Sequence, residues 1–138
     1  MSINQNKITV PTILVTAVII IFAILLACFG GSLEYQFHEV SFVVHTKGWS
    51  DMSVYYDAIQ SIELQDNVDS GRRIMGFGSS KFKFGSFNNS AFGDYTLYAS
   101  TSCTKLVVLH MKDGSILALN DETDEATAAL FAELNSRL

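Results

Sequence analysis

Residues Ile8 to Phe29 read ITVPTILVTAVIIIFAILLACF, with no charged residue and no Asn or Gln. At about 1.5 Å of rise per residue, a helix over this stretch spans roughly 33 Å, enough to cross a hydrocarbon core of about 30 Å. A helix also satisfies every backbone amide internally, as lipid requires. Pro11 stands near the start, where a helix tolerates it best. The expectation is a leader over 1–7, one transmembrane helix over 8–29, a short connection over 30–33 and a tethered domain over 34–138. A second reading is a cleaved signal. Leu25-Leu26-Ala27-Cys28 resembles a lipobox, in which Cys28 is lipidated after cleavage. The apolar stretch exceeds the roughly 7–15 residues of a signal core, which favours the spanning helix and leaves Cys28 an ordinary apolar residue.

Orientation rests on few charges. Lys7 and the amino terminus precede the stretch, and Glu34 and Glu39 follow it. The positive-inside rule leans toward a cytoplasmic amino terminus with the domain outside the cell membrane. From Glu34 onward the domain holds eight Lys plus Arg against 14 Asp plus Glu, a net of −6. That balance argues against a broad nucleic-acid surface. Cys28 and Cys103 fall in different parts of the chain, so no internal disulfide is expected.

Beyond Leu33 the hydrophobic period is near two. Tyr35 and Phe37 alternate with Gln36 and His38, and Met52, Val54, Tyr56 and Ala58 with Ser53, Tyr55 and Asp57. Ile62 and Leu64, Phe82 and Phe84, and Tyr95, Leu97 and Ala99 repeat the pattern, while Leu106 to Met111 is almost wholly apolar. Seven or eight short strands with one buried face follow. Lys47-Gly48 and Gly93-Asp94 punctuate them, and Asp113-Gly114 predicts a two-residue hairpin. The glycines of Asn67 to Ser80 read as a long loop. The period then changes: Ala126, Leu130, Leu134 and Leu138 recur every fourth residue behind a run of acids. This predicts an amphipathic helix over 122–137, with Asn120, Asp121 and Thr123 as candidate caps.

About seven antiparallel strands closed by one C-terminal helix is the layout of a pleckstrin-homology (PH)-like barrel. The alternative is another small barrel or sandwich with an appended helix. Particular words point the same way: Tyr56 and Ile59-Gln60-Ser61-Ile62, Gly71-Arg72-Arg73, Gly76-Phe77-Gly78, then Lys83, Gly85 and Phe87. Tyr95-Thr96-Leu97-Tyr98, Lys112-Asp113-Gly114 and Asn120 complete the set. On these residues, from about Val43 to Leu134, the chain resembles a family of bacterial PH-like domains. The resemblance implies a PH-like fold, frequent attachment to membrane helices and, for most members, no assigned activity.

The stretch Gly71 to Gly85, GRRIMGFGSSKFKFG, gathers Arg72, Arg73, Lys81 and Lys83, four of the nine cations, in 12 residues. With Gly76 and Gly78 these form the candidate loop for an acidic headgroup or partner, since anion binding needs cations and backbone amides converging on one point. The bland alternative is a structural glycine turn with solvated cations. Phe77 and Gly78 stand where a phosphate-binding P-loop needs Lys and Ser or Thr, and the last glycine of a dinucleotide fingerprint is missing, so nucleotide readings are rejected. PH domains that bind inositol phosphates use a basic loop between the first strands; here those loops hold only Lys47, beside Asp51.

His38, His45 and His110 lack metal-ligand spacing, and Asp57, Glu63 and Asp66 read as the solvent side of strands. No nucleophile has an evident base. Trp49 reads equally as a bilayer anchor or as a residue packed on the barrel. The sequence reading is therefore a single-pass bacterial membrane protein, integral to the cell membrane, without cofactor or metal and not an enzyme. It presents a binding or scaffolding module to another membrane protein or to anionic lipid. The rivals are a lipoprotein, a structural subunit completing a membrane complex, and an enzyme with an unrecognised site.

Overall fold

The computed structural model describes residues 6–28 and 31–138, with side chains described for 11–25 and 31–138. The expected leader up to Gln5, Phe29 and Gly30 lie outside the described residues, as do the side chains of Ile8–Val10 and Leu26–Cys28, and with them the lipidation reading of Cys28. Two compact units result, Met1–Gly30 and Gly31–Leu138.

The first unit carries helix α1, Asn6–Cys28, which takes in Lys7 and so begins before the expected span. Thr16 donates its hydroxyl to the Thr12 carbonyl at 2.8 Å, a local bond that hides a polar group on an apolar helix. Among the described residues no helix is long and apolar enough to cross a membrane. The part with described side chains, 11–25, covers only about 22 Å at 1.5 Å per residue.

The second unit is mainly β. Among the described residues it has nine strands, more than the seven or eight expected. β1 (Ser32–Phe37), β2 (Ser41–Lys47) and β3 (Met52–Tyr55) form an antiparallel sheet in that order. A short 3-10 turn, Tyr56–Ala58, leads into β4 (Ile59–Asp66). β5 (Arg72–Gly78), β6 (Phe82–Asn89), β7 (Gly93–Ser100), β8 (Lys105–Met111) and β9 (Ile116–Leu119) follow. The second sheet has the order β4-β8-β9-β7-β6-β5. Its pairs are antiparallel except β7 and β9, which run parallel, with Tyr98 opposite Leu119.

Tyr95, Leu97 and Ala99 face a second cluster, whereas most of the period-two residues face one core. Phe42, Val44, Phe84, Val107, Leu109 and Leu119 are fully buried there. Phe82, Phe84 and Tyr98 stack their rings in series, with centroids 5.4 and 5.8 Å apart. The unbroken apolar run in β8 has a physical reason, because that strand is covered on both faces. Val107 and Leu109 join the main core, while Leu106 and Val108 join a second cluster with Phe87, Tyr95 and Leu97.

Helix α2, Asp124–Asn135, lies on β8 and β4 and buries Thr127, Leu130 and Leu134. Thr123 caps it, its hydroxyl accepting from the Ala126 amide at 3.0 Å. The helix is shorter at both ends than the expected 122–137, and its apolar stripe stops at Leu134, leaving Leu138 exposed. The expected loop over Asn67–Ser80 is corrected more strongly, since its middle is strand β5 at the edge of the larger sheet. Both faces of β5 are largely exposed, so no alternation marks it. Its ladder also slips between Arg73 and Met75.

Candidate functional site

The β5–β6 hairpin holds every residue of the expected basic loop. Gly76 faces Gly85 in the ladder, and both have positive φ, 146° and 124°. A Cβ on Gly76 would run into the Phe84 carbonyl, and one on Gly85 into the Met75 carbonyl. Gly76 therefore lets two backbones approach closely. Gly78 is covered by the Arg73 guanidinium, which occupies the space a Cβ would need.

The four cations separate. Arg72 starts β5 opposite Asn88, about 20 Å of extended chain from the hairpin turn. Arg73 folds its head group back to Gly78, near that turn. Lys81 is exposed in the turn itself, where the Ser79 hydroxyl accepts from the Lys81 amide at 3.2 Å. Lys83 points to the outer face of the sheet and donates to the Ser70 hydroxyl at 2.8 Å. The structure thus brings Arg73 and Lys81 to one end; Lys83, although opposite Gly78 in the ladder, turns its amine away to Ser70, and Arg72 stays at the far end of β5.

That end is where the chain enters the domain. A Cβ on Gly31 would meet Phe82, the Lys47 carbonyl and Phe77, and one on Gly48 would meet the Phe77 ring. Lys47 is exposed there, and Trp49 is half-buried against the core. The local acids are Glu34 and Asp51. Asp51 accepts from the Thr46 amide at 2.9 Å and pairs with His45 at 2.8 Å; the amide bond, then the imidazole, hold its carboxyl below the usual range.

Lys83 instead lines a cavity of about 180 Å³ on the outer face, with Tyr95, Leu97, Cys103 and Lys105. The strap 67–70 lies over this face. Tyr95 donates to the Ser70 carbonyl at 2.7 Å, and Asn89 to the Asp69 carbonyl at 2.8 Å. Burial, with the Asp69 carboxylate adding to it, pushes the Tyr95 phenol up to about 12. Burial also pushes the Cys103 thiol up; a bond to the Thr127 hydroxyl opposes this, and Asp124 and Asp121 reinforce it. The lining holds two cations, Lys83 and Lys105, the latter paired to Asp66 at 3.0 Å. A thiol held protonated is a poor nucleophile.

The histidines do not converge. His38 sits in the turn after β1, His45 on β2 between Asp51 and Gln36, and His110 on β8, 3.7 Å from Glu63. Among the described residues no group of three or more His, Cys, Asp or Glu is placed to hold a metal. Asp57, Glu63 and Asp66 are exposed. The strap was missed from sequence, because bonds to distant residues hold it down: the Asn67 amide donates to the Thr104 carbonyl at 2.9 Å, beside the Tyr95 and Asn89 side-chain bonds.

Residues 33–132 match the bacterial PH domain family. The chain belongs to that family. The match begins at β1, so α1 lies outside it, and it ends within α2. No curated protein and no solved structure matches the chain.

Proposed function

We propose that this bacterial PH domain is a binding module anchored in the cell membrane by its apolar N-terminal segment, with its cationic end toward an acidic surface. The reading carries no catalytic step and no cofactor. The observation behind it is where three cations fall at the end at which the chain enters a domain of net charge −6: the Lys47 carbonyl and Phe82, next to Lys81, border Gly31, and the Arg73 head group covers Gly78 at the β5–β6 turn. Long-range attraction to anionic lipid is weak for such a domain, but a short connection from a spanning segment holds this end near headgroups. Each Lys or Arg at the surface then contributes about 1 kcal/mol. The anchor itself rests on the uncharged run from Ile8 to Phe29.

Two measurements test the reading. Full-length protein should resist carbonate extraction, and Ile20→Arg should weaken insertion by about 2.5–3.5 kcal/mol on translocon scales; wild-type protein released by carbonate refutes the anchor. In nanodiscs, emission of the lone Trp49 should differ between zwitterionic and anionic lipid. The difference should vanish at high salt and in an Arg73→Glu/Lys81→Glu variant. Identical wild-type emission in both lipids refutes the cationic contact.

A further inference from the structure

The far end of the domain carries a different surface. β1 runs from Ser32, beside the point of entry, to Phe37, so the turn that follows lies about 20 Å away. Five large apolar side chains of this unit are exposed: Val40 at 63%, Tyr55 at 58%, Ile74 at 52%, Met75 at 65% and Leu138 at 51%. Three of them, Val40, Tyr55 and Leu138, line one open cavity of about 540 Å³ at this far end. Each comes from a different element: the β1–β2 turn, the end of β3, and the residues after α2. Scattered exposed apolar residues need no explanation, but convergence on one concave site does.

The site is built to keep its shape. The Tyr56 hydroxyl donates to the His38 carbonyl at 3.0 Å, and the Tyr56 amide donates to the Val40 carbonyl at 3.1 Å. Arg137 spans the wall, lying over the Phe37 and Tyr56 rings at 5.1 and 5.8 Å. Its charge is taken by Glu133 in an ion pair.

The rim decides the partner. With Arg137 paired to Glu133, the remaining charges are Glu39, Asp57 and Lys112. Among the described residues neither Glu39 nor Asp57 is ion-paired. The rim is therefore net negative on a domain that is itself −6. An acidic partner is repelled at both ranges, and a second copy of the chain would oppose one acidic rim to another.

We infer that this groove is a docking site for a protein partner that inserts an apolar anchor flanked by Lys or Arg. Anchor burial against Val40, Tyr55 and Leu138 would supply affinity, and the flanking cations would supply approach and register. This inference does not depend on the bilayer contact proposed above, because it concerns the opposite end and is testable without anionic lipid.

The test uses the full chain in zwitterionic nanodiscs, with carbon-13 methyl labels read by NMR. The probes are two water-soluble peptides that each carry one Trp, flanked by Lys in one and by Glu in the other. The Lys peptide should shift the Val40 and Leu138 methyls saturably and leave the Met75 methyl still. The Glu peptide should shift none of them. Glu39→Lys with Asp57→Lys should weaken Lys-peptide binding about tenfold or more, and Tyr55→Ala should do so independently through lost anchor contact. Both variants alter exposed residues, and unchanged core methyl shifts would verify their folds. Equal shifts with both peptides, equal shifts at Met75, or no shift overturns the inference. Shifts that track protein concentration without peptide also overturn it, in favour of a second copy.

Discussion

Asn120 offers the sharpest test of how this fold is held. It is 3% exposed and follows directly on β9. β7 runs on past the end of β9, so Ser100 lacks a strand partner on that side. The Asn120 side chain takes that place: its Oδ1 accepts from the Ser100 amide at 2.7 Å, and its Nδ2 donates to the Ser100 carbonyl at 2.9 Å. Its own carbonyl accepts from the Tyr35 hydroxyl at 2.5 Å, tying β1 to the larger sheet. Asn120→Ala strands two buried backbone groups, each costing about 1–3 kcal/mol, so the loss should be about 2–5 kcal/mol. For a domain of this size that lowers Tm by roughly 10–40 °C. Asn120→Asp keeps one bond and sets a carboxylate oxygen against the Ser100 carbonyl. It should therefore recover stability as pH falls and that oxygen gains a proton. Urea unfolding of the full chain, followed through Trp49, measures both. A loss below about 0.5 kcal/mol for Asn120→Ala would refute the reasoning.

Leu130→Ala empties a contact between α2 and the main core and should cost about 2–5 kcal/mol by the same urea assay; a neutral result would mean that α2 does not close the core. Tyr95 titrates in the folded chain at about 12 against an ordinary 10, so the native state holds the proton more tightly. Its contribution is complete below pH 10 and is lost as pH rises through about 12, and Tyr95→Phe should flatten that loss in unfolding midpoints measured across the window. Gly76→Val should lose more stability than Gly93→Val: both have positive φ, but a side chain at Gly76 meets the facing backbone, whereas Gly93 has open space around it.

The sequence was most legible where one face is dry. Phe82 and Phe84, and Met52 and Val54, alternate because the main core takes every second side chain, and Tyr95, Leu97 and Ala99 because the second cluster does; each stretch became a strand, except that the run after Tyr55 turned into a 3-10 turn. The run of acids from Asp121 to Glu125 marked the start of α2 to within two residues, and of the three candidate caps the helix uses Thr123. β5 was illegible because an edge strand exposed on both faces has no alternation to show, and its glycines, which serve a close crossing, look like loop glycines. The grouping of Arg72, Arg73, Lys81 and Lys83 misled for the opposite reason. Extended chain carries Arg72 away, and strand alternation turns Lys83 to the outer face. Nothing local announced the parallel pairing of β7 with β9, which depends on the chain between them returning through β8.

The cover on the outer face explains why the larger sheet buries side chains on both faces. A sheet in a small domain normally leaves one face to water, yet Leu97, Leu106 and Val108 are buried there. The cover is thin: the strap 67–70, Phe92 and the polar bonds that hold them. Phe92 is fixed by its amide, which donates to Asn89 Oδ1 at 2.7 Å, while Asn89 Nδ2 holds the strap at Asp69. One buried Asn therefore secures both halves of the cover. Its loss would loosen the cover, leaving the strap on the Tyr95–Ser70 and Asn67–Thr104 bonds, and would leave the main core intact, because Phe84, Val107 and Leu109 take no part in those bonds. The two clusters are thus separable in stability although they share β6, β7 and β8. The outer one is the place where local opening would begin under mild denaturant.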